Sequence, residues 1–157
     1  MAARLNDKLA VAPVIVRRHW AGFDEAVRGL VSELVEAGYL RHQLAESAIH
    51  AVSEREMMAS TALVEIGVSI PHARVEGVQG IVAALAVSPK VVYYAHASVP
   101  ITIMSLVLSA PSVSGEYLNF LSSLSLMLHS PATRSALQHA ATPEEVLACL
   151  RTQPRFR

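Results

Sequence analysis

IVAALAVSPKVVYYAHASVPITIMSLVLSA, residues 81–110, decides how this chain folds. Its two ends, IVAALAVS (81–88) and ITIMSLVLSA (101–110), are apolar at nearly every position and of strand length. A strand with one wet face alternates apolar and polar residues, whereas a strand covered on both faces does not. The two runs therefore predict buried strands with helices above and below them. Between them VVYYA (91–95) predicts a further strand, paired as a hairpin with its neighbour, with Tyr93 and Tyr94 covering the sheet edge. The charge-free stretch from Val91 to Gly115 contains His96, two prolines and several serines. A membrane span needs about 20 predominantly apolar residues, so this segment reads as core and not as bilayer.

Working outward, PVIVRR (13–18) predicts a short strand. Phe23-Asp24 reads as a helix entry with Asp24 as N-cap. Val27, Leu30, Val31, Leu34 and Val35 then follow at helical spacing up to Gly38. A second helix is expected from about His42 to Met58, with Leu44, Ala48, Ile49, Val52 and Met57 on its apolar side. Beyond Pro111 the period is again helical: Tyr117, Leu118, Leu121, Leu124 and Leu128 make one stripe. A short helix at about 131–140 and another from Thr142 complete the chain. Thr142-Pro143-Glu144-Glu145 supplies an N-cap, a proline at the first position and acids in the first turn. Met57, Met58, Met104 and Met127 fit as core filler, and His129 as a helix C-terminal residue. The order predicts a single α/β domain over residues 1–157, a three-layer αβα sandwich with a mixed central sheet flanked by helices.

Composition narrows the function. The chain has 157 residues, 52% of them hydrophobic and 17% charged, with a formal net charge of +0. Nothing here points to nucleic acid or to an anionic membrane surface, and Arg151, Arg155 and Arg157 read as a solvated tail. The one cysteine, Cys149, cannot form an intrachain disulfide, which fits a reducing compartment. The first residues lack the continuous apolar run of a signal peptide, so a cytoplasmic location is expected, without membrane insertion. HExxH, CxxC, GxxxxGK[ST] and GxSxG are all absent, and the histidines at 19, 42, 50, 96, 129 and 139 lack metal-ligand spacing. No metal and no cofactor are expected.

The seventh histidine has different surroundings. In GVSIPHAR (67–74), Pro71 has no N–H and biases Ile70 toward extended geometry, so the strand is not expected to continue as a central ladder. His72 then stands at a strand-to-loop transition, where side chains become accessible on a rigid frame. Neutral imidazole is a good nucleophile near pH 7, and one ring nitrogen can be anchored while the other reacts. In-line phosphoryl transfer asks little more than a positioned nucleophile and donors for three equatorial oxygens. Arg55, Ser60, Thr61 and Arg74 are candidate donors. The bland alternative is a partly buried histidine that caps a strand.

EREMMAST (54–61), GVSIPHARVEGV (67–78), IVAALAVSPK and PITIMSLVLSAP together resemble the IIA domains of the bacterial sugar phosphotransferase system, in the type-2 branch of fructose, mannitol and nitrogen-regulatory IIA proteins. The resemblance runs from about residue 25 to 150. It implies that His72 accepts a phosphoryl group from the histidine phosphocarrier protein and passes it to a IIB component, a phosphotransferase step with a phosphohistidine intermediate. It further implies that Arg55, from the Arg-Glu pair, and Thr61, from the Ser-Thr pair, hold the phosphoryl oxygens. The family's turn before the Gly-Val pair commonly carries two or three glycines, where TALVEIG keeps Gly67 alone. Many members also place a second histidine where this chain has Tyr117, whose hydroxyl can donate one hydrogen bond to phosphate but cannot share charge as an imidazolium can. Two readings follow. One is a working phosphocarrier using His72, Arg55, Thr61 and Tyr117. The other is a regulatory IIA-like module that binds a membrane transporter or regulator, with phosphotransfer weak or lost. A structural or metal-binding domain in which His72 is incidental is the third.

Overall fold

The computed structural model describes residues 8–9, 12–96 and 98–152. The N-terminal stretch before residue 8 and the tail residues Arg155 and Arg157 lie outside them. The two apolar runs form β5 (Ile81–Val87) and β8 (Ile103–Ser109), paired antiparallel along their whole lengths. β1 (Val14–Val16) lies parallel to β5 on one side. On the other side β3 (Val68–Ser69) and β4 (His72–Arg74) both run parallel to β8, and β2 (Ala62–Leu63) pairs antiparallel with β3. The sheet order is β1-β5-β8-β3-β2, with β4 beside β8. β6 (Tyr93–Ala95) and β7 (Val99–Ile101) form the expected hairpin as a separate two-stranded sheet.

Helices cover both faces. Ala84 and Ala86 of β5, with Met104, Leu106 and Leu108 of β8, pack against α1 (Phe23–Glu36) and α2 (Ala45–Met58). The opposite pleat, including Ile81, Leu85, Ile103 and Val107, packs against α3 (Ser114–Leu128), α4 (Pro131–Gln138) and α5 (Pro143–Arg151). This is the three-layer mixed α/β arrangement expected from runs apolar on both faces. Thr142 caps α5 as its sequence predicts, its Oγ1 accepting from the Glu145 N–H at 3.2 Å.

Four expectations need correction. Gly22, in extended conformation, is the N-cap of α1, so Asp24 lies inside the first turn, where its charge faces the positive end of the helix. Met57 and Met58 are 86% and 82% exposed; Met57 comes nine positions after the buried Ala48, which at 3.6 residues per turn is the opposite side of α2. The buried stripe of α3 runs through Tyr117, Phe120, Leu124, Met127 and Leu128. Leucines occupy both faces of this helix, and the larger Phe120 set its phase, leaving Leu118 exposed. Tyr93 covers no edge: it is fully buried, its hydroxyl donates to Ser69 Oγ at 2.9 Å, and only Tyr94 stands exposed.

The strand through Pro71 behaves differently from expectation too. Val68 faces Ile103, Ser69 faces Met104, His72 faces Val107 and Arg74 faces Ser109, so the register with β8 is unbroken across the proline. Pro71 removes one rung yet still accepts from the Val107 N–H at 3.0 Å. Among the described residues β2 pairs only with β3, and β4 has β8 as its sole strand neighbour. Pro71 thus costs the ladder one donor toward β8, while its carbonyl and the pairs on either side keep the register. The preceding turn closes on Gly67 alone: its φ is +68°, and a Cβ there would meet the Pro100 carbonyl oxygen at 3.2 Å. None of residues 61–66 has a positive φ, so further glycines are not required.

Candidate functional site

His72 opens β4, and strand alternation puts it and Arg74 on the same pleat, facing α3. The imidazole Nδ1 lies 2.7 Å from the Ile70 carbonyl oxygen. A carbonyl can only accept, so Nδ1 carries the proton and Nε2 keeps its lone pair. Burial of half the ring is the main cause that lowers the His72 pKa from the usual 6.5. The Ile70 hydrogen bond and the Glu56 charge pull upward, and Arg55 and Arg74 push further down. The ring is therefore neutral at pH 7, with a lone pair available on Nε2.

Around it opens a cleft of about 310 Å³ lined by Arg55 and Met58 of α2, His72 and Arg74 of β4, and Tyr117 and Leu118 of α3. Arg74 is held on two sides. Its Nε donates to Ser114 Oγ at 3.2 Å, and its Cζ stands 5.1 Å from the centre of the Tyr117 ring. Tyr117 in turn meets His72 edge-on, with ring centres 6.0 Å apart. Burial pushes the Tyr117 hydroxyl up to about 12, against the opposing pull of Arg74 and Arg55, so it stays protonated and able to donate. The cleft thus gathers one imidazole with a bare nitrogen, two guanidinium groups, one phenol and the Glu54 carboxylate, which lies 2.8 Å from His50 Nε2; the guanidinium groups and the phenol are donors suited to a tetrahedral dianion.

Of the residues named from sequence, Arg55, Arg74, His72 and Tyr117 converge on this cleft. Thr61 does not line it. The Thr61 hydroxyl donates to Glu56 Oε1 at 2.7 Å, and the Ser60 hydroxyl donates to Glu56 Oε2 at 3.0 Å. Glu56 enters the sequence reading only as the second member of the Arg-Glu pair, with no role of its own. Its signal was an acid in the last helical turn, followed four and five residues later by Ser and Thr. Among the described residues no three His, Cys, Asp or Glu side chains converge on a common point, and no helix is long and apolar enough to cross a membrane.

A mixed sheet between two helical layers is the fold of a type-2 IIA component of the phosphotransferase system. Residues 10–153 match the family described as "Phosphoenolpyruvate-dependent sugar phosphotransferase system, EIIA 2", and the chain belongs to that family. Among solved structures it is similar to the nitrogen regulatory protein IIA-Ntr of Neisseria meningitidis, with 23% identity over 90% of this chain and 94% of that one, and a TM-score of 0.73. It is similar as well to IIA mannitol of Escherichia coli (22% identity, 87% and 94% covered, TM-score 0.68). Enzyme IIAMTL of Escherichia coli, solved in complex with phosphorylated enzyme IIBMTL, gives 20% identity, 89% and 94% coverage and a TM-score of 0.70. At these identities the likeness bears on fold. A comparison with proteins of curated function found no match.

Proposed function

We propose that this protein is a phosphocarrier: His72 accepts a phosphoryl group from the histidine phosphocarrier protein and hands it to a IIB component. The observation that carries this reading is the His72 Nδ1–H bond to the Ile70 carbonyl at 2.7 Å, which leaves Nε2 unprotonated in a cleft shared with Arg55 and Arg74. The Nε2 lone pair attacks phosphorus in line. As the Nε2–P bond forms, the bond from phosphorus to the donor's imidazole nitrogen breaks and its electron pair returns to that nitrogen. Arg55, Arg74 and the Tyr117 hydroxyl hold the three equatorial oxygens, which is most of what a loose phosphoryl transition state asks of a protein. Transfer to the IIB component reverses the same steps. Exposed Met58 and Leu118 at the cleft give the partners an apolar surface to dock on.

Tyr117 supports a second reading, a regulatory module for a membrane transporter or regulator. With a phenol in the cleft, a phosphoryl group of about −2 charge is balanced by Arg55 and Arg74 alone, which favours a long-lived charge switch over rapid turnover. The deciding experiment is intact-mass analysis after incubation with phosphoenolpyruvate, enzyme I and the phosphocarrier protein of the same source, with His72→Ala alongside. An acid-labile gain of one phosphoryl group, absent from the variant, is the expected result. No gain in the wild type removes the carrier reading, and a gain retained in the variant removes His72 as acceptor.

A further inference from the structure

Behind the cleft, a chain of hydrogen bonds joins α2 to the ring of His72. Glu56 follows Arg55 on the helix but is absent from the cleft lining. It borders a separate depression of about 230 Å³ beside Phe23, Ser60 and Tyr93. Both of its carboxylate oxygens accept from the Thr61 N–H at 3.1 Å, and the hydroxyls of Thr61 and Ser60 donate to it at 2.7 and 3.0 Å. The Thr61 carbonyl then accepts from the Ile70 N–H at 3.4 Å, and the Ile70 carbonyl accepts from His72 Nδ1–H at 2.7 Å.

This chain has a chemical consequence. A neutral histidine side chain in water favours the proton on Nε2, the tautomer in which that nitrogen cannot attack phosphorus. The opposite tautomer needs a fixed acceptor at Nδ1. The Ile70 carbonyl belongs to the Ile70–Pro71 peptide, whose nitrogen has no hydrogen to donate, so Ile70 is anchored through its other peptide, by its N–H to the Thr61 carbonyl. We propose that Glu56 is a positioning residue for phosphoryl transfer: through Thr61 and the backbone of Ile70 it orients the carbonyl that keeps the proton on Nδ1 of His72 and the lone pair on Nε2. The kinetic consequence rests on His72 being the acceptor; the tautomer itself does not.

The test is nitrogen-15 NMR of the histidine rings at a pH where His72 is neutral, with no partner present. It is run on wild type, Glu56→Ala and Glu56→Gln, each checked for folding by thermal melting. The wild type is expected to show a protonated Nδ1 and a bare Nε2. Glu56→Ala should shift His72 toward the Nε2–H form, and Glu56→Gln, which keeps an acceptor for Thr61, should restore most of the wild-type pattern. The phosphorylation rate should fall about tenfold or more in Glu56→Ala, the scale of a misplaced reacting group, and recover in the same order. A wild-type ring protonated on Nε2 overturns the proposal without any variant, as does a folded Glu56→Ala with an unchanged tautomer. If the tautomer responds as stated and the wild type takes no phosphoryl group, the carrier reading falls and the positioning role stands. If the wild type is phosphorylated and the tautomer ignores Glu56, the reverse holds.

Discussion

Tyr117→Phe separates the chemistry of the cleft from its architecture. The ring is only 2% exposed, and it packs edge-on to His72 and under Arg74, contacts that phenylalanine reproduces. Among the described residues the phenol makes no hydrogen bond to another protein group, so removing its oxygen breaks nothing in the resting fold. Stability should stay within about 0.5 kcal/mol, and the melting temperature within about 2 °C for a chain of this size. Phosphoryl transfer is another matter. With a pKa of about 12 the hydroxyl is a donor at every working pH, and a hydrogen bond to a charged acceptor contributes about 1.5–3 kcal/mol. Two guanidinium groups share the same phosphoryl oxygens, so the lower end applies, and about 1.4 kcal/mol is a tenfold change in rate. The assay is time-resolved intact mass with phosphorylated phosphocarrier protein as limiting donor, read beside a thermal melt. A wild-type rate in Tyr117→Phe refutes the hydroxyl as a phosphoryl ligand. A melting point lowered by more than about 4 °C refutes the claim that it has no structural partner.

Two further perturbations bear on the ring and its surroundings. Because the folded-state pKa of His72 lies below 6.5, the unfolded chain binds the proton first as pH falls. The stability this group contributes is therefore complete above 6.5 and is lost as pH drops through the lower folded value. Urea unfolding at pH 7.5 and 5.5, on either side of 6.5, should show the wild type losing stability relative to His72→Gln on acidification; a difference that is constant or of opposite sign excludes a neutral ring held so by burial and by the Arg55 and Arg74 charges. Ser105, opposite Leu85 on β8, is fully buried and its hydroxyl has no hydrogen-bond partner among the described residues. An orphaned buried hydroxyl costs about 1–3 kcal/mol, so Ser105→Ala should match or exceed wild-type stability in urea, and a loss above about 1 kcal/mol would reveal a partner for it.

Local patterns were legible where one physical rule decides. Continuous apolar runs announced β5 and β8, because a strand buried on both faces has no polar positions to alternate. Thr142 and Pro143 announced the start of α5, because capping is settled within one turn. The helical stripes were harder. α3 carries leucines all round, and Phe120 settled which of two adjacent faces turned inward, leaving Leu118 at the cleft. Met57, placed on the apolar side from its side chain alone, lies nine positions from the buried Ala48 and so on the opposite side of α2, in solvent.

By itself the sequence determined the class of fold, the family and the histidine on which the chemistry is proposed to turn, since each is written in a contiguous stretch. Only the tertiary structure decided what surrounds that histidine. β8 pairs with β5 on one edge and with β3 and β4 on the other, and that placement carries β4 to a spot where α2 and α3 converge. Tyr117 thereby comes 6.0 Å from a ring 45 positions earlier in the chain. The proton on Nδ1 was likewise invisible in the letters, because it depends on where the Ile70 carbonyl points, and strand pairing, not composition, sets the direction of a backbone carbonyl.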